Sequence, residues 1–88
     1  MKDIDIKKYS WVIRGKQRRE IIKYIDGPET PSQISQKSKY SLNHTSRILN
    51  EFKEEGIATL LNPKDRTGRL YELTKTGKLI RDKLRKDS

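Results

Sequence analysis

The sequence contains no cysteine, so neither a disulfide framework nor a cysteine-based zinc site can hold the fold together. It has a single histidine, His44, which gives no support to a metal site or a metal sensor built from Cys and His clusters. No apolar run approaches the roughly 18–20 residues of a membrane span, and residues 1–5 are not followed by the apolar core of a signal peptide. We therefore expect a cytoplasmic protein that is stabilised by packing and has no metal, cofactor or membrane partner.

Side chains suited to catalysis are equally scarce. No pair of carboxylates stands on an apolar background that would shift a pKa, and no glycine-rich loop is placed to bind a phosphate group. We expect that the protein is not an enzyme.

Acidic residues are in the minority, with 12 Asp and Glu against 21 Lys and Arg, a formal net charge of +9. Such an excess on a small chain favours a polyanionic partner, of which nucleic acid is the leading candidate. Both halves of the chain share the excess, so it belongs to the folded body rather than to a basic tail. With 88 residues the chain has room for one domain, residues 1–88, around one modest core.

Two helices are predicted in the first half of the chain. Apolar residues recur with helical spacing from Lys16 to Ile25, and Gly27-Pro28 ends this segment. A short helix over residues 31–38 is indicated by Thr30 as N-cap, Pro31 at the first helical position and Gln33 at the third. Before them, residues 9–13 form a short apolar patch that fits either a strand or a helix.

A third helix follows, with Ser41 as its N-cap and Gly56 as a left-handed C-cap. Its apolar side is formed by Thr45, Ile48, Leu49 and Phe52. The opposite side is formed by Asn43, Ser46, Arg47 and Asn50. The turn between the second and third helices is residues 38–40.

The second half of the chain predicts a β-hairpin followed by a helix. Residues 57–61 and 69–73 suit two strands, and residues 62–68 have the composition of a turn that is longer than usual. Thr74 can cap a last helix that carries Leu79, Ile80 and Leu84 on one side. The expected fold is mainly α with a small β-hairpin.

This order of elements, together with several short motifs, resembles the MarR/ArsR-like winged helix-turn-helix regulators common in archaea. The resemblance covers about residues 14–84, and its motifs are residues 30–35, Ser41 to Leu49 with Phe52, residues 55–57, residues 68–74, and Gly77. It implies a sequence-specific transcriptional regulator that binds double-stranded DNA as a homodimer. One departure is Lys39, which stands where the family often has Gly in the turn, and a left-handed Lys costs about 1 kcal/mol.

The resemblance implies that the helix after Ser41 enters the major groove and that residues 62–68 form a wing on the DNA backbone or in the minor groove. Amides, hydroxyls and a guanidinium on the polar helix face match base edges or phosphates, whereas a plain solvated face is usually rich in Glu and Lys. The cations of the wing can reach phosphates, or can simply keep a loop soluble. The expected DNA-contacting residues are Ser32, Gln33, Asn43, His44, Ser46, Arg47, Asn50, Lys64, Arg66 and Arg69.

Several alternatives stay open at this level. The basic residues 14–19 can contact phosphates or be neutralised by neighbours, since a basic first turn opposes the helix dipole. Residues 1–13 and 75–88 can form a dimer interface or cover the chain's own core, and we expect the dimer. The rival functions are a weakly specific architectural DNA-binding protein and a winged-helix protein-interaction module, of which the net charge disfavours the second.

Overall fold

A computed structural model of the chain describes residues 4–87 and consists, over that range, of five α-helices and one β-hairpin. The elements are α1 (Ile6–Arg14), α2 (Lys16–Ile22), α3 (Pro31–Ser38), α4 (Leu42–Glu54), β1 (Ala58–Leu60), β2 (Tyr71–Leu73) and α5 (Lys75–Asp87). The prediction of a mainly helical chain with a small hairpin is confirmed. Within residues 4–87 no helix has the length and apolarity needed to cross a bilayer.

The apolar patch at residues 9–13 is helical and belongs to α1. Asp5 caps this helix by accepting a hydrogen bond from the Lys8 amide at 3.1 Å. Val12 is fully buried, and the Trp11 ring packs edge-on against Phe52 with 6.0 Å between ring centroids. The helix therefore forms part of the core that α4 builds.

The helix predicted over residues 16–25 ends at Ile22, earlier than expected. The backbone hydrogen bonds become shorter in sequence there: the Tyr24 amide bonds to the Ile21 carbonyl at 3.0 Å, three residues back rather than four. The carbonyl groups that follow bond to α5 instead: Arg85 donates to Lys23, and Arg81 donates to Ile25 at 2.8 Å.

The start of α3 has the predicted capping box. The Gln33 amide donates to the Thr30 hydroxyl at 3.2 Å, and the Thr30 amide donates to the Gln33 side chain at 2.9 Å. Lys39 ends the helix with φ 70°, so the left-handed residue of the turn is a lysine. The Ser35 hydroxyl closes the turn by donating to the Tyr40 carbonyl at 2.6 Å.

Helix α4 buries the face that its periodicity predicts. Ser41 caps it by accepting from the His44 amide at 3.1 Å, and Gly56 follows its end with φ 75°. Thr45 is the one buried polar residue of the described range, and its hydroxyl oxygen has no hydrogen-bond partner there. The buried apolar core comprises Val12, Ile21, Ile22, Ile25, Ile34, Ile48, Leu49, Phe52, Ile57, Ala58, Tyr71, Leu73, Ile80 and Leu84.

The two strands are shorter than the sequence predicts. Antiparallel pairing runs from Ala58 opposite Leu73 to Leu60 opposite Tyr71. The Leu61 amide still bonds to the Leu70 carbonyl at 2.8 Å, and Arg69 lies beyond the ladder. The hairpin loop, as we name residues 61–70, thus begins where regular pairing ends.

Tyr71 also pairs with a segment outside the hairpin. Its amide donates to the Glu29 carbonyl at 2.9 Å, and the Glu29 amide donates back to the Tyr71 carbonyl at 3.0 Å. This isolated antiparallel bridge brings the residue before the N-cap of α3 onto the free side of β2.

The junction between the hairpin and α5 is close packed. Thr74 bonds to the Ile57 carbonyl through its amide at 2.9 Å, and its hydroxyl bonds to the Gly56 carbonyl at 2.8 Å. A Cβ atom on Gly77 would overlap the Ile57 carbonyl oxygen and lie 3.1 Å from the Leu73 side chain. Glycine at this position therefore allows α5 to approach the sheet.

The segments that we expected to form a dimer interface pack on their own chain in the described range. Val12, Ile80 and Leu84 are buried, while Tyr9, Trp11 and Ile13 are half-buried against the core. One chain therefore covers most of the apolar groups of these segments by itself, and the dimer that we expect stays a prediction. Residues 1–3 and Ser88, which belong to the same predicted segments, lie outside the described residues.

Replacing Gly77 by alanine should destabilise the fold by about 2 kcal/mol, because the added methyl group collides with backbone that is itself hydrogen-bonded. Urea unfolding followed by circular dichroism measures the loss. Gly27→Ala is the matched control, since no heavy atom lies within 4 Å of its added Cβ, and it should change stability by less than about 0.5 kcal/mol. Equal stability of the two variants would contradict the close approach.

Asp26 should make a pH-dependent contribution to stability. Its hydrogen bond from Arg85 at 2.7 Å, with a weaker contribution from Lys37, lowers the pKa of its carboxyl below 3.8 in the folded state. The stabilisation is therefore present above the ordinary pKa and is lost as the pH falls through the folded-state pKa. Asp26→Asn should destabilise by only about 0.5 kcal/mol at about pH 7, since solvent screens this exposed pair.

The difference between Asp26→Asn and the parent chain should shrink as the pH falls through the folded-state pKa of Asp26, because the carboxyl then becomes protonated in both states. Urea unfolding at about pH 7 and at a series of lower pH values measures it. A difference that persisted at the lower pH values would show that the carboxylate charge is not its cause.

Candidate nucleic-acid interface

Three elements that are distant in sequence line one open groove on the surface. We call it the hairpin-side groove; it is lined by Thr30, Pro31, Ser32, Leu42, Ser46, Arg66, Thr67, Gly68 and Arg69. These residues come from the start of α3, from the first half of α4 and from the hairpin loop. Four of the predicted DNA-contacting residues are thereby brought together: Ser32, Ser46, Arg66 and Arg69.

The positions of these elements follow from local contacts. The Glu29–Tyr71 bridge holds the start of α3 beside the second strand, which leads directly out of the loop. The turn at Lys39 sets α4 against α3, with Thr45 and Leu49 buried between α4 and the rest of the core. The exposed first turn of α4 therefore faces the space between α3 and the hairpin loop.

The hairpin-side groove is electropositive. The first turn of α3 contributes the positive end of its helix dipole, although Pro31 has no N–H and the Gln33 amide bonds to the Thr30 hydroxyl. Arg66 is exposed and forms no ion pair with any described residue, and the loop's Asp65 accepts a hydrogen bond from Asn62 at 2.9 Å instead. The groove therefore contains two kinds of positive group, the N-terminal end of α3 and the Arg66 guanidinium, and neither is paired with a carboxylate of the described residues.

Arg69 adds a second unpaired guanidinium to the groove. Its Nε atom is buried and has no hydrogen-bond partner within residues 4–87. A buried donor on a charged group is unfavourable unless a partner satisfies it. Arg69 also lines the groove, so a shift of its side chain would bring this donor within reach of an anion bound there.

The exposed face of α4 carries unpaired polar side chains. Asn43, His44 and Asn50 are exposed, and their side chains form no hydrogen bond with any residue of the described range. Their amide and imidazole groups are free to bind an external partner. Ser46 is half-buried at the edge of this face, where it lines the groove.

Arg47 is separated from the hairpin-side groove. Its guanidinium donates to the Gln17 side chain at 3.2 Å and lines a second groove on the α2 side. The polar face predicted from the helical periodicity is therefore divided, with Ser46 on the hairpin side and Arg47 on the α2 side. Helical periodicity gives the angle of each side chain around the axis of α4, but it does not reveal which other element packs beside each edge of the polar face.

Two further predicted residues occupy other positions. Lys64 lies exposed in the hairpin loop but outside the groove lining, and Gln33 uses its carboxamide oxygen in the α3 capping box. In the basic segment, Arg18 and Arg19 have partners within the chain, because both donate to α1, to the carbonyls of Trp11 and Ile13. Arg18 also lies 4.2 Å from the centre of the Trp11 ring.

Two residues that shape the interface were not among the predicted contacts. Leu42 is half-exposed in the hairpin-side groove, but as an apolar residue it lacks the polar groups from which DNA contacts are predicted. Asn62 organises the loop: its Oδ1 accepts from the Leu70 amide at 2.7 Å, and its Nδ2 donates to the Gly68 carbonyl at 3.0 Å. The frequent use of Asn side chains to bond nearby backbone was the available signal for Asn62.

Metal-binding side chains do not cluster here. Over residues 4–87, no three His, Asp or Glu residues are grouped in a way that could hold a metal ion.

Comparison of the chain with family models, with curated proteins and with solved structures yields no significant match.

Asn62→Ala should loosen the hairpin loop without unfolding the protein. The Leu70 amide loses its side-chain acceptor, so its hydrogen exchange should accelerate about tenfold, as expected for the loss of one hydrogen bond. Amide exchange followed by NMR measures this. The Thr74 amide, which bonds to Ile57 at the base of the hairpin, should keep its rate, and equal acceleration at both amides would contradict a local role.

Proposed function

We propose that the chain is a winged helix-turn-helix protein that binds double-stranded DNA with sequence preference and acts as a transcriptional regulator. In this proposal α3 and α4 are the helix-turn-helix, α4 is the recognition helix in the major groove, and the hairpin loop is the wing on the DNA backbone or in the minor groove.

The order of elements supports the fold assignment. A short capped helix, a tight turn at Lys39 and a helix with one polar face are followed by a hairpin and a final helix. The Glu29–Tyr71 bridge adds a third short strand segment beside the hairpin. The resemblance to MarR/ArsR-like regulators rests on the same elements.

The observation that carries the functional proposal is the composition of the hairpin-side groove and the α4 face beside it. The groove combines a helix N-terminus with Arg66 and Arg69, groups that bind phosphates irrespective of sequence. The adjoining α4 face offers Asn43 and Asn50, whose carboxamides can bond to adenine or to other base edges. Phosphate-binding and base-binding groups thus lie next to each other, as sequence-specific binding requires.

A second candidate is an architectural protein with weak sequence preference. The net charge of +9 and the unpaired loop cations favour it, because they would suffice for non-specific binding. Use as a protein-interaction module is disfavoured by the same charge. Homodimerisation stays part of the proposal on the strength of the resemblance.

Asn43→Ala and the double variant Lys64→Ala/Arg66→Ala should affect DNA binding in different ways. Loss of a base-contacting amide should cost about 1–3 kcal/mol on the preferred duplex and little on a scrambled one. Loss of two phosphate-contacting cations should weaken both duplexes and reduce the log-affinity against log-salt slope by about one unit per contact. Titrations of both duplexes at several salt concentrations measure the two effects.

The matched control for the double variant is Lys78→Ala/Lys86→Ala, which removes the same charge from exposed positions on α5. It should change the slope much less than the loop variant does. Equal preference of the parent chain for preferred and scrambled duplexes would favour the architectural alternative. Failure to bind any duplex at low salt would overturn both DNA-binding proposals.

A further inference from the structure

Leu42 stands out among the exposed apolar residues because of its position. It is the first residue of α4, and 49% of its surface is exposed. The other large apolar side chains with comparable exposure in the described range, Ile6, Tyr24 and Leu61, do not line the hairpin-side groove. A large, half-exposed apolar side chain thus lines a groove that is also lined by two arginines.

The first turn of α4 holds Leu42 in a defined place. Ser41 accepts the His44 amide, so the helix begins rigidly at this point. Ser46 follows one turn later on the same side of the helix, and both side chains line the groove opposite Arg66 and Arg69. If α4 lies in the major groove, residues of its first turn are those that approach base edges most closely.

The major groove offers one apolar group, the C5-methyl group of thymine. A leucine cannot donate to or accept from the polar base edges, so contact with any of them would leave those edges without water or a partner. Contact with a thymine methyl group instead removes apolar surface of both partners from water. The chemistry of the side chain therefore selects among the four bases without a hydrogen bond.

We infer that Leu42 is a specificity-determining residue that packs against the C5-methyl group of a thymine in each bound half-site. The inference rests on the proposed DNA-binding function, whose base contacts it extends from the amides of α4 to an apolar one. It assigns the preference for thymine at one position to shape and methyl burial rather than to hydrogen bonding.

Uracil differs from thymine only in lacking this methyl group, so it provides the test. A preferred duplex is first selected from random sequences, and each thymine in it is then replaced by uracil in turn. For the parent chain, one such replacement per half-site should weaken binding about fourfold, as expected for one buried methyl group, with the others near neutral.

Leu42→Ala should bind the thymine duplex more weakly and should no longer distinguish thymine from uracil at that position. Tyr24→Ala is the control, because this apolar side chain is also exposed, 38%, and lies after α2, outside both the groove and the hairpin loop. It should retain the full preference for thymine. Circular dichroism of both variants checks that each remains folded.

Two results would overturn the inference alone: a selected duplex in which no uracil replacement changes the affinity, or a thymine preference that persists in Leu42→Ala. Absence of any selected sequence would overturn the inference together with the proposed sequence-specific function. Since selection precedes the uracil scan, the two kinds of failure are distinguishable.

Discussion

The pairing of Glu29 with Tyr71 is the contact on which the candidate interface depends. Two backbone hydrogen bonds, of 2.9 and 3.0 Å, join the segment before α3 to the strand that leaves the hairpin loop. Tyr71 is 5% exposed, so these bonds are shielded from competing water by the core. Without them the start of α3 and the loop would have no fixed separation, and Ser32 would not share a groove with Arg69. Backbone pairing thus positions the elements that line the interface, and their side chains supply the groups that can bind a partner.

The structure divides the cations of the chain between two tasks. Four arginines bond to backbone carbonyls where helices end: Arg18 and Arg19 at the end of α1, Arg81 and Arg85 just after α2. Carbonyls at a helix end lack partners within the helix and carry the negative end of its dipole, so a guanidinium satisfies both requirements at Trp11, Ile13 and Lys23. The cations of the hairpin loop have no such partners among the described residues, and remain available to an anion. The net charge therefore overstates how much of the positive surface can serve binding.

Sequence reasoning succeeded where the signal is local. The capping box of Thr30 and Gln33, the cap at Ser41 and the buried face of α4 depend on groups within one helical turn of each other, and all were predicted. It failed where a distant partner decides. Helix α2 ends at Ile22, and the carbonyls that follow it bond to α5. Arg47 stays exposed on α4 but lies on the α2 side, where Gln17 accepts its hydrogen bond. The sequence also left open whether the apolar residues of α1 and α5 cover the chain's own core; the structure shows that they pack on it, and the expected dimer stays a prediction.

The sequence by itself determined the type and order of most elements, the mainly helical fold class and the residues that α4 buries. These features depend on helix caps, on proline and glycine positions and on apolar periodicity. Each of these signals acts over a few residues, so it can be recognised in the sequence without any tertiary contact. Only the tertiary structure decided that Leu42, Ser32 and Arg69 line one groove, that Arg18 and Arg19 serve α1, and that Gly77 must lack a side chain. These outcomes depend on which segments pack together across the core, and that choice is made by the chain as a whole.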